Sequence, residues 1–108
     1  MQTLPTAIQN FINTTNFADT AGFIATFTAD AYLEDWGRGF NGRSGIASWN
    51  QTDNIGKQAH FDFIAIKPAT TPDTFIVTLK VSGNGYNGTG DMVMTLQVDK
   101  ISRLIISA

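Results

Sequence analysis

The strongest constraint on this chain lies in its second half, where apolar residues fall at every other position in four successive runs. Phe61, Phe63 and Ala65 alternate with Asp62, Ile64 and Ile66 in a run that ends before Pro68. Phe75, Val77, Leu79 and Val81 alternate with Ile76, Thr78, Lys80 and Ser82. Met92, Met94, Leu96 and Val98 alternate with Val93, Thr95 and Gln97, and Ile101 to Ser107 makes the last run. A period of two is the mark of a strand with distinct faces. Thr70–Asp73 and Ser82–Gly90 are turn-rich, and Asp99-Lys100 reads as a tight hairpin. Residues 60–107 are therefore expected to form a meander of antiparallel strands. Ile64, Ile66 and Ile76 place apolar groups on the second face as well, which predicts a two-fold homodimer through that face.

The first half has a different rhythm. Leu4, Ile8, Phe11 and Ile12 make one helical stripe, giving a helix over 3–15 that starts at Thr3 or Leu4 with Pro5 in its first turn. Asp19 can cap a second helix over 19–27 whose buried face is Phe23, Ile24 and Phe27. Gly22 weakens it by about 1 kcal/mol relative to Ala. Ala31–Asp35 is a short extended run, and Trp36–Phe40 is a turn feeding another short strand. A third helix over 42–52 points Ile46 and Trp49 to one side. Helices followed by strands read as α+β, with the three helices on one face of the sheet, in a single domain over 1–108.

Composition narrows the chemistry. The chain has no cysteine and one histidine, which excludes thiolate sites and any multi-histidine metal site within one chain; no cofactor is implied. Seven basic residues face nine acidic ones, with no cluster of three basic residues, so nucleic acid is not an expected partner. No stretch approaches the apolar length of a membrane span, and no basic segment leads into an apolar one, so a cytoplasmic protein without membrane contact is expected. The four glycines of Gly83–Gly90 lie between two strands and lack the lysine of a phosphate loop; a hairpin tip explains them.

Two motifs carry a resemblance. Phe27-Thr-Ala-Asp-Ala-Tyr-Leu-Glu-Asp35 and Phe40-Asn-Gly-Arg-Ser-Gly-Ile46 follow two helices and precede four strands. In motif, spacing and element order the chain resembles the SnoaL-like branch of the nuclear transport factor 2-like superfamily over nearly its whole length. That resemblance implies a cone: a strongly curved, mainly antiparallel sheet wrapped against three helices, with an apolar pocket at one end. The superfamily holds ketosteroid isomerase, polyketide cyclases, dehydratases, epoxide hydrolases and members without catalysis, so fold does not choose among them.

Residues must choose. Asp35 matches the position of the isomerase's base aspartate, while Phe11 and Met94 match its two oxyanion donors, and neither can donate a hydrogen bond. Losing one such donor typically costs about 3 kcal/mol, which argues against ketosteroid isomerase activity itself. Asp35 is either a pocket carboxylate or a solvated acid at a strand end. Arg38 either pairs with it or lies on the surface. The pocket is expected to draw on Phe11, Phe27, Trp36, Phe40, Trp49, His60, Tyr86 and Met94, the first of which also serve as plain core. The leading reading is a pocket for a small, largely apolar metabolite, with cofactor-free isomerisation, cyclisation or dehydration by Asp35 as general base. The alternative is a non-catalytic structural or interaction dimer with a filled pocket. A third reading, epoxide hydrolysis, would need Asp35, an arginine (Arg38 or Arg103) and another acid to converge, and no spacing in the sequence indicates that. A void of about 300 Å³ or more with Asp35 in its wall separates the first reading from the second.

Overall fold

The computed structural model describes residues 4–107. Helix α1 is Thr6–Asn16, with Pro5 as its N-cap; the expected start at Thr3 lies outside the described residues. Its buried face is Ala7, Ile8, Phe11, Ile12 and Thr15. Asn16 ends the helix and takes a second task. Its side-chain amide donates to the Phe61 carbonyl (2.9 Å) and accepts from the Phe61 N–H (2.7 Å), the pair of bonds a neighbouring strand would make.

Helix α2, Thr20–Ala25, is capped as expected: the Asp19 carboxylate accepts from Gly22 N–H at 3.0 Å. A Cβ on residue 22 would run into that carboxylate, so the glycine that weakens the helix also makes room for its cap. The helix stops two residues short of expectation because β1 already begins at Phe27 and runs to Asp35. Phe27 satisfies both patterns: it lies four residues beyond Phe23 for a helix, and at the inward parity of a strand. Strand β2, Arg38–Asn41, pairs antiparallel with β1. Helix α3, Gly42–Asp53, then buries Ile46, Trp49 and Asn50, and a 3-10 turn at Ile55–Lys57 follows.

The meander is β3 (His60–Pro68), β4 (Thr74–Ser82), β5 (Gly88–Gln97) and β6 (Lys100–Ile106), paired antiparallel in succession. The last turn is one residue earlier than expected, at Val98-Asp99, with β6 starting at Lys100. The complete sheet is six-stranded and open, in the order β2-β1-β6-β5-β4-β3. β1 and β6 run parallel, which makes the sheet mixed. Helix faces and the inward residues of the sheet meet in one core containing Phe11, Phe23, Phe27, Leu33, Leu79, Met94 and Leu104. This is the α+β fold that the element order implied, in the cone form that the resemblance implied.

One feature of the sheet departs from simple alternation. The β3–β4 register shifts between Phe63 and Ala65, a β-bulge at Ile64. Beyond it the parity reverses, so Ile66 stands opposite Val77 and packs against the core instead of facing out. The outer face therefore carries a narrower apolar stripe: Ile76, Val93 and Ile105, joined by cross-strand pairing. Ile64 itself is half exposed at the bulge.

Candidate functional site

A two-residue turn builds the centre of the site. Asp35 and Arg38 are cross-strand partners, so Trp36 and Gly37 alone make the β1–β2 connection. Both have positive φ, 52° and 84°, the conformation that matches the twist of a tight hairpin. Trp36 adopts it despite its side chain, and its ring stands out with 60% of its surface exposed. Opposed residues share one sheet face, which returns Arg38 to Asp35. The Arg38 Nη2 donates to Asp35 Oδ2 at 2.8 Å.

Two groups on α3 complete the cluster. Trp49, almost fully buried, donates its indole N–H to the same Asp35 Oδ2 at 2.9 Å. Asp53, at the end of α3, accepts from Arg38 Nη2 at 3.1 Å through Oδ1. Its Oδ2 accepts the Thr52 hydroxyl at 2.6 Å and lies 3.5 Å from Arg38 Nη1. Arg38 is thus shared by two carboxylates. Its bonds with Asp53, and then the charges of both acids, hold its pKa above the ordinary value against the opposing effect of burial. Burial is the largest single influence on Asp53 and pushes it up, but the Thr52 and Arg38 hydrogen bonds, with the charges of Arg38 and Lys57, bring it below the usual carboxylate range.

Asp35 lies in the wall of a cleft of about 370 Å³ at the open end of the sheet. The other walls are largely apolar, from Phe61, Val81, Met92 and Ile106, with Trp36 and Tyr86 as exposed aromatic groups at the rim. Tyr86 belongs to the Gly83–Asn87 connection between β4 and β5. Asn87 clasps that loop by accepting from Gly83 N–H (3.1 Å) and donating to the Gly83 (2.9 Å) and Gly85 (3.2 Å) carbonyls. Among the described residues no three His, Cys, Asp or Glu side chains converge to hold a metal ion. No helix among them is long and apolar enough to cross a membrane.

Five of the residues singled out in the sequence meet at this cleft: Asp35, Trp36, Arg38, Trp49 and Tyr86. Phe11, Phe27 and Met94 do not; all three are fully buried, and Phe11 stacks on Phe61 with ring centroids 5.2 Å apart. The two positions that the resemblance matched to oxyanion donors, Phe11 and Met94, are therefore filled core. Phe40 is half-buried beneath the Arg38 guanidinium, 5.6 Å from the ring centroid. His60 is exposed at the start of β3, its Nε2 3.3 Å from Asp62 Oδ1. Asp53 is the residue that sequence reasoning missed. Nothing marks it locally; it reaches Arg38 only because α3 packs across β1 and β2.

No family model matches the sequence, and no curated protein does. Solved structures do match. A candidate polyketide cyclase from Sinorhizobium meliloti is 25% identical with a TM-score of 0.82, the match covering 94% of each chain. The Δ5-3-ketosteroid isomerase of a Mycobacterium species is 20% identical with a TM-score of 0.77, covering 92% of this chain and 87% of the isomerase. A Mycobacterium tuberculosis protein in complex with estradiol-17β-hemisuccinate is 15% identical with a TM-score of 0.73, covering 92% and 88%. The helices and the strand order agree with these matches: the chain has the fold of the nuclear transport factor 2-like proteins, the one that ketosteroid isomerase and polyketide cyclase structures share.

Proposed function

We propose that the cleft binds a small, flat, largely apolar molecule, and that Asp35 acts on it as a cofactor-free general base. One observation carries this reading. A cleft of about 370 Å³ with apolar walls contains a carboxylate whose Oδ2 is fixed by Arg38 and Trp49, while its Oδ1 takes no bond from any described residue. A fixed carboxylate with one free oxygen is what proton transfer in isomerisation, cyclisation or dehydration requires. Trp36 and Tyr86 offer ring faces to the ligand, and the steroid complex of the M. tuberculosis neighbour supports a ligand of this kind. The open cleft favours this account over a non-catalytic dimer with a filled pocket.

The test is fluorescence titration with the neutral probe N-phenyl-1-naphthylamine, followed by displacement with a steroid and assay on a β,γ-unsaturated cyclic ketone. Binding should be in the micromolar range. Asp35→Asn should leave probe affinity within about threefold, since most of the binding energy is apolar burial, and should abolish turnover. Failure of the wild-type protein to bind the probe would remove this reading.

The Asp35–Arg38–Asp53 convergence favours a second reading, hydrolysis of an epoxide by a carboxylate-activated water. Incorporation of ¹⁸O from labelled water into a diol product would support it, and no diol from an aryl epoxide would dismiss it. A homodimer through the outer face of the sheet belongs to the same proposal, with the half-buried Ile76, Val93 and Ile105 stripe as its centre. Sedimentation should show a dimer that Val93→Lys converts to monomer; a wild-type monomer at micromolar concentration would refute it.

A further inference from the structure

We propose that Gly90 selects the ligand of the cleft by shape: a planar ring lies against the bare backbone of β5 at this residue, and the missing side chain decides which molecules fit. The inference rests on the cleft as a ligand site, and it holds whether or not Asp35 moves a proton there.

Gly90 has no reason within the fold. A glycine inside a strand weakens it, and marks a bulge, a special backbone angle or the close approach of another group. Gly90 is the third residue of β5 and pairs with Leu79. The β4–β5 pairing runs without a register shift, so no bulge accounts for it. Positive φ among the glycines belongs to Gly37, Gly42 and Gly83 instead. A Cβ on residue 90 would meet no heavy atom within 4 Å. Every other glycine has either a positive φ or a neighbour within that distance.

The absent side chain belongs to the inner face. Leu79 opposite is fully buried, and Met92, two residues further along β5, is buried as well. Cross-strand partners, and residues two apart on one strand, share a face. Gly90 therefore lies in the cleft wall, with Val81, Met92 and Ile106 as its apolar neighbours there. Gly88, on the same face, shows what a bare strand at this end is used for. The hydroxyl end of the Tyr86 ring lies over it: a Cβ on residue 88 would come within 2.6 Å of the hydroxyl oxygen and 2.9 Å of Cζ. One ring of the protein is already seated on a glycine of β5, and Gly90 offers the adjoining seat to a ring from outside. A flat ring keeps dispersion contact with an uncovered peptide over its whole face, which a globular group cannot do.

The test titrates N-phenyl-1-naphthylamine into Gly90→Ala and Gly90→Val, with urea unfolding of each. Both variants should be at least as stable as wild type, because the added groups enter open space and suit a strand better than glycine. Probe affinity should fall stepwise, about twofold with alanine and at least tenfold with valine. Lys80→Val puts the same side chain on the outer face of β4 and should leave affinity within twofold. Shape is read by displacing the probe with two neutral alcohols of equal carbon number, the flat 1-naphthol and the globular 1-adamantanol. Wild type should prefer 1-naphthol at least fivefold, and Gly90→Val should erase the preference. Unchanged probe affinity in Gly90→Val, a Gly90→Val protein that is destabilised or does not fold, or a wild type that does not distinguish the two alcohols would each overturn the role of Gly90. Failure of wild type to bind the probe at all would instead remove the cleft reading beneath it.

Discussion

Two sets of aromatic side chains in this molecule have opposite effects on the space around them. Phe11, Phe23, Phe27, Phe61 and Trp49 form a continuous chain of ring contacts, with centroids 5.2–6.2 Å apart, and close the inside of the cone. Trp36 and Tyr86 stand on turns at its mouth, 60% and 56% exposed. Phe11, Phe23 and Phe27 remove volume that a ligand could occupy, and Phe61 and Trp49 form the floor on which the cleft begins. The second set leaves a ring face uncovered, which folding alone does not reward. The inside of the cone is thus filled at Phe11 and Met94, and the polar groups Asp35, Arg38 and Asp53 gather instead around the β1–β2 turn and the end of α3. An aromatic residue is informative here through its position, not its type.

The largest test of that contrast is Phe23→Ala. Phe23 is fully buried and touches Phe11, Phe27 and Trp49, so its loss should destabilise the fold by about 3–5 kcal/mol in urea unfolding. Trp36→Ala should change stability by no more than about 0.5 kcal/mol, yet weaken the neutral probe at least fivefold. Reversal of the two effects would break the comparison. A smaller effect sharpens it at the polar end. Asp53 has its folded pKa below the ordinary 3.8, so its interactions stabilise the protein above that value. That stabilisation is lost as pH falls through 3.8 to the folded value. Asp53→Asn should therefore be less stable than wild type near neutral pH, and the gap should close in acid. A gap independent of pH would mean that Asp53 acts through shape alone.

Much of this architecture was legible because periodicity is a direct consequence of burial. The stripe of α1, the Asp19 cap and the four alternating runs each encode one local requirement. Three features were not legible, each for a physical reason. Phe27 fits a helix and a strand equally, so the α2–β1 boundary needed the sheet to decide it. The bulge at Ile64 reverses parity without any glycine or proline to announce it, and so Ile66 read as an outward residue. Asp53 becomes part of the site only through packing of α3 against the first hairpin. Asp35 was singled out from a family pattern, and Trp36, Trp49 and Tyr86 from their places beside it, on the third helix and on the hairpin tip; all four line the cleft, whereas Phe11 and Met94, singled out from the same pattern, are core.

The parallel pairing of β1 with β6 has a consequence for the order of assembly. The pairings among β3, β4, β5 and β6 join neighbours in sequence, and their loops close at little entropic expense. Leu33 meets Leu104 across most of the length of the domain, and the Trp36 N–H reaches the Ile106 carbonyl at 2.9 Å. Contacts of such high sequence separation form late and slow the folding rate. The hairpin that carries Asp35 and Arg38 is therefore expected to dock onto a meander that already exists. In hydrogen-exchange pulse labelling, amides of β4 and β5 should gain protection before those of β1, making the Asp35–Arg38 corner of the cleft the last part of the molecule to mature.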